Sequence, residues 1–182
     1  MKDSKKFHST KKIKHAADYI KEHSISWSVT WSDFDTIDNI NIRQATLKSM
    51  HSAIQAVANS IDIANNIDKT LLLIDRNDFK PYLMFDDTTQ SQVAVPYTCI
   101  EGGDNKYTAI AAASILAKTE RDKYIEEMCE TYPKLDELYG LASHKGYGTK
   151  KHLEAIRNNG ISPWHRKSFG ICKSSKINDI FL

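Results

Sequence analysis

Two carboxylates stand where they could do chemistry. Asp75 closes the run "TLLLID", Thr70 to Asp75, an uninterrupted apolar stretch with the pattern of a strand buried on both faces. Open α/β sheets place ligands beyond the carboxyl ends of their strands, which is where Asp75 would sit. Asp122 lies in "KYTAIAAASILAKTERDKYIEEMC", Lys106 to Cys129, which contains no Gly or Pro and reads as one helix. At about 3.6 residues per turn, Ala111, Ile115, Lys118, Asp122, Ile125 and Cys129 fall on one stripe, so an aspartate occurs among residues that would otherwise face a core. Buried carboxylates are costly unless paired or metal-bound. Two inward carboxylates from different elements suit Mg²⁺ or Mn²⁺, hard ions that take oxygen ligands and are held by a few carboxylates plus substrate phosphate. A purely structural reading is also open, in which Asp75 caps a turn and Asp122 pairs with Lys118 one turn back.

A second constellation is "HKGYGTKKH", His144 to His152. Its glycines flank Tyr147 and lead to a helix start capped by Thr149, where free backbone N–H groups can receive a phosphate and a tyrosine ring can stack on a sugar or base. The alternative is a flexible loop with an ordinary cap. No Walker-type loop is present, and His144, His152 and His165 lack a tight metal-ligand spacing, which argues against zinc.

These residues need elements to hold them. Ser9 or Thr10 can cap a first helix whose Ile13, Ala16, Ala17 and Ile20 share a face, running to about His23. "SISWSVTW", Ser24 to Trp31, alternates in the manner of a strand. A second helix is expected from Asn41 to Asn59, with Leu47, Met50, Ile54, Val57 and Ile61 recurring at helical spacing. "SQVAVPYTCI", Ser91 to Ile100, is a further strand, and its Pro96 makes it an edge or bulged one. After the long helix a loop runs through Pro133 and "HKGYGT" to a short helix from Lys150 to Asn158, ending before Gly160. Strands alternating with helices point to an α/β domain with its sheet covered by helices.

The chain has 182 residues, the size of one domain, with 41% hydrophobic and 26% charged residues, an ordinary globular composition. Its net charge of +2 hides basic flanks, "MKDSKKFHSTKKIKH" and "HRKSFGICKSSK", around an acidic middle between Asp75 and Asp87. Such flanks suit a polyanion or simply a solvated surface. Cys99, Cys129 and Cys172 are odd in number and form no close pair, which favours reduced thiols. There is no apolar stretch of membrane-spanning length and no apolar region behind the N-terminal charges, so the expected location is cytoplasmic.

Taken in order and spacing, "DSKKF", "IDNINIRQAT", "LLLIDRND", "GGDNKYTAIAAASILAKTERDKYI", "HKGYGTKKHLEAI" and "GISPWHRKSF" resemble bacterial ribonuclease HII over nearly the whole chain. The resemblance implies a ribonuclease H-like mixed sheet flanked by helices in a single domain over 1–182, with 171–182 as a C-terminal tail. It implies an endoribonuclease that cuts the RNA strand of RNA–DNA hybrids and single ribonucleotides in duplex DNA, uses Mn²⁺ or Mg²⁺, and works as a monomer when complete. It makes Asp75 and Asp122 catalytic metal ligands, Tyr147 the ring that packs against the nucleotide beside the RNA–DNA junction, and Lys5 a phosphate contact. Two departures stand out. The family carries an Asp-Glu pair followed by Gly-Arg-Gly on its first strand, and no such segment occurs in this sequence. The first strands are thus expected to be absent and the activity of this chain doubtful, the alternative being a non-catalytic nucleic-acid-binding remnant. Arg76 also replaces the glycine usual after the strand-end aspartate, which puts the local turn in question.

Overall fold

The computed structural model describes residues 9–86 and 89–181. They form two compact units: one built from residues 9–31, 46–86 and 89–119, the other from 32–45 and 120–181.

In the first unit, α1 (Thr10–His23) buries Ile13, Ala17 and Ile20, one face at helical spacing. These residues cluster with Ile115 and Leu116 of α3 (Thr108–Thr131), and Ala16, Val29 and Ala112 close the packing. The expected strand over Ser24 to Trp31 does not form. The segment is irregular, with Ile25 91% and Trp31 69% exposed. Alternation alone does not make a strand, because backbone N–H and C=O groups need a partner edge. Here the links are made by side chains instead: the Thr30 hydroxyl donates to the Ser49 carbonyl at 2.6 Å, and Lys21 lies 4.9 Å over the Trp27 ring.

α2 (Phe34–Ser60) begins earlier than expected but breaks at Asn41, whose φ of 67° and ψ of 160° are not helical. Asn41 Oδ1 accepts the Gln44 N–H at 3.1 Å, so Asn41 caps the second piece, while Asp33 Oδ1 caps the first through the Thr36 N–H at 2.6 Å. The strand ending at Asp75 is β1 (Leu72–Ile74), and it pairs in parallel with β4 (Tyr97–Cys99) in the register Leu72↔Tyr97 and Ile74↔Cys99. Burial on both faces is not found: Leu71 is 56% exposed, Leu72 and Leu73 are half-buried, and only Ile74 is buried. Apolar side chains permit covering layers but do not supply them. The stretch expected as one strand from Ser91 is split at Pro96, which has no N–H to give a ladder. Before it lies β3 (Ser91–Ala94), antiparallel to β2 (Leu83–Asp86), a strand the sequence did not suggest. After Pro96 comes β4, and the Pro96 carbonyl accepts from Leu72 N–H at 2.8 Å.

The second unit packs Cys129, Leu135, Tyr139, Leu141, Ile156 and Ile161 into a core. The connection past Pro133 is not a plain loop: it holds α4 (Lys134–Tyr139) and α5 (Leu141–His144). α6 (Lys150–Asn159) follows as expected, capped by the Thr149 hydroxyl, which accepts the His152 N–H. Asp38 accepts the backbone N–H of Lys167 at 2.6 Å and of Ser168 at 3.3 Å. Partial burial acts to raise the Asp38 pKa, but the hydrogen bonds from Ser168 and Lys167 outweigh it and hold the carboxyl below its ordinary value.

Gly160 ends α6 at φ 74° and ψ −161°, a region open essentially to glycine alone, and an added Cβ would lie 2.5 Å from the Lys176 carbonyl oxygen. Gly160→Ala should therefore destabilise the fold by about 3 kcal/mol in chemical denaturation. Gly148→Ala, where nothing lies within 4 Å of the new methyl, should cost less than about 1 kcal/mol.

Candidate active site

Asp75 leaves the end of β1 with its carboxylate exposed, and Oδ1 accepts the Gly103 N–H at 2.9 Å. Gly103 opens a short 3-10 turn (Gly103–Asn105) just before α3. A strand end is thereby tied to the approach of the long helix. The turn after Asp75 accommodates Arg76 without strain, since Arg76 is not among the residues with positive φ, and its guanidinium instead bonds Asp78 Oδ1 at 2.9 Å.

Asp122 keeps the stripe position expected of it. Ala111, Ile115 and Cys129 are buried, while Lys118, Asp122 and Ile125 are half-buried. Its Oδ1 is buried, and Arg121 Nη1 lies 3.8 Å away. The adjacent arginine is thus one neighbour, a cation that offsets the carboxylate at this depth.

Arg121 reaches further. Its Nη2 donates to the Lys145 carbonyl at 2.6 Å, and its guanidinium carbon sits 4.8 Å from the centre of the Tyr147 ring. Lys145 is left-handed, with φ of 50°, and its Nζ bonds Glu126 Oε1 at 2.8 Å. One side of α3 therefore holds the tyrosine loop at two points. Tyr147 itself is 55% exposed. The second unit thus brings Asp122 and Tyr147 to one arginine, while Asp75 belongs to the first unit. Lys5 lies outside the described residues.

Under the loop, the three histidines meet despite their wide spacing in sequence. The rings of His144 and His152 stack at 4.6 Å, and His152 Nε2 is 3.2 Å from His165 Nε2. His152 and His165 border a cavity of about 480 Å³ lined in part by Tyr147, Trp164, Arg166 and Phe169. Burial, followed by repulsion from His152, pushes His165 down to about 4, and burial also lowers His152. Neither these histidines nor Arg121 carried a signal in the sequence beyond Arg121's place next to a stripe carboxylate.

The ribonuclease HII family model matches residues 1–172. The chain belongs to the ribonuclease HII family. Ribonuclease HII of Chlorobium luteolum is 42% identical over 169 residues, which is 93% of this chain and 70% of the relative. That of Parabacteroides distasonis is 40% identical over 169 residues, 93% of this chain and 73% of the relative. The Shouchella clausii protein is 38% identical over 167 residues and extends well beyond the match, which covers 55% of its length. The helices and small parallel and antiparallel strand pairs form a mixed α/β arrangement consistent with a ribonuclease H-like fold.

Asp75 and Asp122 offer oxygen donors of the kind a hard divalent ion takes, and Asp122 already lies beside a positive charge. Among the described residues no group of three or more His, Cys, Asp or Glu side chains is arranged to hold a metal ion. No helix among them is long and apolar enough to cross a membrane.

The contacts separate folding from chemistry. Asp75→Asn keeps an oxygen for the Gly103 N–H, and the exposed side of the Arg121–Asp122 pair limits its worth, so Asp75→Asn and Asp122→Asn should each leave stability within about 1 kcal/mol. Asp75→Ala orphans the Gly103 donor and should cost about 1 to 2 kcal/mol in urea titration.

Proposed function

We propose that this chain is an endoribonuclease that cuts the RNA strand of RNA–DNA hybrids and single ribonucleotides in duplex DNA, leaving a 3′-hydroxyl and a 5′-phosphate. The observation that carries the reading is the family match across residues 1–172, a range that includes Asp75, Asp122 and Tyr147. Arg121 supports it, because one side chain touches the Asp122 carboxylate and covers the Tyr147 ring.

In this reading Asp75 and Asp122 hold Mg²⁺ or Mn²⁺, and an Asp-Glu pair of the family type, followed by Gly-Arg-Gly, a combination that does not occur in this sequence, would complete the ligand set. Bound divalent ions would activate water and stabilise the leaving 3′-oxygen of the phosphodiester. The residues of this chain supply the rest. Gly103 N–H orients the Asp75 carboxylate, Arg121 lies against that of Asp122, and Tyr147 stacks beside the junction while basic side chains draw in the polyanion. Lys5 contributes a phosphate contact, and the enzyme acts as a cytoplasmic monomer.

The test joins a family first strand, carrying Asp-Glu and Gly-Arg-Gly, ahead of Met1 and follows cleavage of duplex DNA with one embedded ribonucleotide. Cleavage should require Mg²⁺ or Mn²⁺, and Asp75→Asn or Asp122→Asn should reduce it by at least about a thousandfold. Undiminished cleavage in both variants would remove the two residues from the mechanism. Tight duplex binding with no cleavage in the joined protein would favour a non-catalytic nucleic-acid binder.

Tyr147→Ala should lower cleavage at the single ribonucleotide about tenfold or more while changing affinity for all-DNA duplex less than about threefold, since stacking positions and charge supplies affinity. Equal losses in the two assays would make Tyr147 a residue of folding only.

A further inference from the structure

The histidines beneath the tyrosine loop are linked in a way that permits one arrangement of protons. The Ser162 backbone N–H lies 3.0 Å from His165 Nδ1, and the Ser162 hydroxyl lies 2.7 Å from the same nitrogen. A backbone N–H can only donate, so Nδ1 of His165 accepts and the neutral ring carries its proton on Nε2. That Nε2–H faces His152 Nε2 at 3.2 Å, which must then accept. His152 is left with its proton on Nδ1, and Nδ1 lies 3.0 Å from the Tyr147 carbonyl, which can only accept. A main-chain donor at one end and a main-chain acceptor at the other thus fix both tautomers. His144 braces the same loop, its Nε2 donating to the Tyr139 carbonyl at 2.7 Å and its Nδ1 accepting the Gly146 N–H at 3.3 Å.

We propose that His152 and His165 are positioning residues for Tyr147: a directed relay of two neutral imidazoles, running from the Ser162 amide to the Tyr147 carbonyl, that holds the ring in the orientation presented to a nucleic-acid duplex. The part of this that concerns the duplex rests on the function proposed above; the relay itself does not.

A proton added anywhere breaks the chain. On His152 it sets two N–H groups against each other across 3.2 Å, and on His165 it sets Nδ1–H against the Ser162 N–H. The groups around the relay do little to favour such a proton. His144 stacks on His152, the Tyr139 ring lies 4.9 Å from His165, and Arg121, Tyr124, Arg166 and Cys172 line the adjoining cavity, with no carboxylate among the described residues of its lining. Burial lowers both imidazoles below the ordinary value of about 6.5, and His165 to about 4. A base whose folded pKa is depressed binds fewer protons when folded, so its contribution is complete above about pH 6.5 and is lost as pH falls from there toward 4.

The experiment uses the chain with ¹⁵N-labelled histidine and ¹³C-labelled tyrosine. At about pH 7.5 the ring nitrogens should report Nδ1–H for His152 and Nε2–H for His165. The Tyr147 ring signals should shift as pH is lowered to about 4.5, with the midpoint of the imidazole transition and before the fold is lost. His152→Leu should move the Tyr147, Gly146 and Gly148 resonances, whereas His152→Asn, whose amide nitrogen can replace Nδ1 as donor, should largely restore them. For a duplex with one ribonucleotide, His152→Leu should bind about tenfold more weakly and His152→Asn within about threefold of the parent. The opposite tautomers in the parent chain would overturn the relay even if His152→Leu fails to fold, and so would Tyr147 signals that ignore both the substitution and pH. Tyr147 signals that move while duplex affinity does not would leave the relay standing and defeat the assignment of Tyr147 to substrate.

Discussion

A carboxylate on the packed stripe of a helix constrains everything near it. Asp122 sits between Lys118 and Ile125 on the side of α3 that ends in buried Cys129, and its Oδ1 is out of water. Charge at such a depth must be offset by a nearby cation, by hydrogen bonds, or by protonation. One cation within reach is Arg121, one residue earlier on the same helix. Consecutive helical side chains diverge by about 100°, so Arg121 cannot lie flat against the Asp122 carboxylate, and the 3.8 Å separation reflects that. Its guanidinium has donors to spare and spends them outward, on the Lys145 carbonyl and the face of Tyr147. The placement of the tyrosine loop follows from where that guanidinium lies.

The loop is held from both sides by groups of different character. On the α3 side the contacts are charged: Arg121 to the Lys145 carbonyl and Glu126 to the Lys145 ammonium. On the other side they are imidazoles: His144 at the end of α5 accepts the Gly146 N–H, and His152 of α6 donates to the Tyr147 carbonyl. Lys145 and Gly146 adopt left-handed backbone, with φ of 50° and 75°, and turn the chain sharply enough for Tyr147 to project while its carbonyl points inward. A lysine there carries some backbone strain, and the partly buried ion pair with Glu126 helps offset it. Fixing the loop in advance lowers the ordering cost of any contact made through the ring.

How much could be seen in the sequence depended on whether the signal was local. Helical periodicity placed α1, α3 and α6 within a residue or two, because each carries its own apolar stripe and a recognisable stop such as Gly160. Asn41, the expected helix start, is the cap of the second piece of α2, again a local property of one side chain. The strands fared worse. "SISWSVTW" alternates yet stays irregular, since a ladder needs an edge that no alternation supplies, and Pro96 divided one expected strand between two different partners. The site shows the same division. Asp75 and Asp122 could be singled out by position on an element, but the Gly103 donor lies 28 residues from Asp75, and His152 and His165 are 13 residues apart. Such contacts are made by the fold, not by spacing.

The two faces of Tyr147 are not equivalent. Arg121 lies over one, where the cation meets the negative face of the ring. The ring is still 55% exposed, so much of its remaining surface is open to a partner. The cation on one side draws electron density from the ring. It also adds positive potential where a phosphate backbone would pass, although Arg121's guanidinium is partly committed to Lys145. The arginine that offsets a buried aspartate thus also tunes the exposed tyrosine, and a change at either carboxylate or ring would be felt at the other through that single side chain.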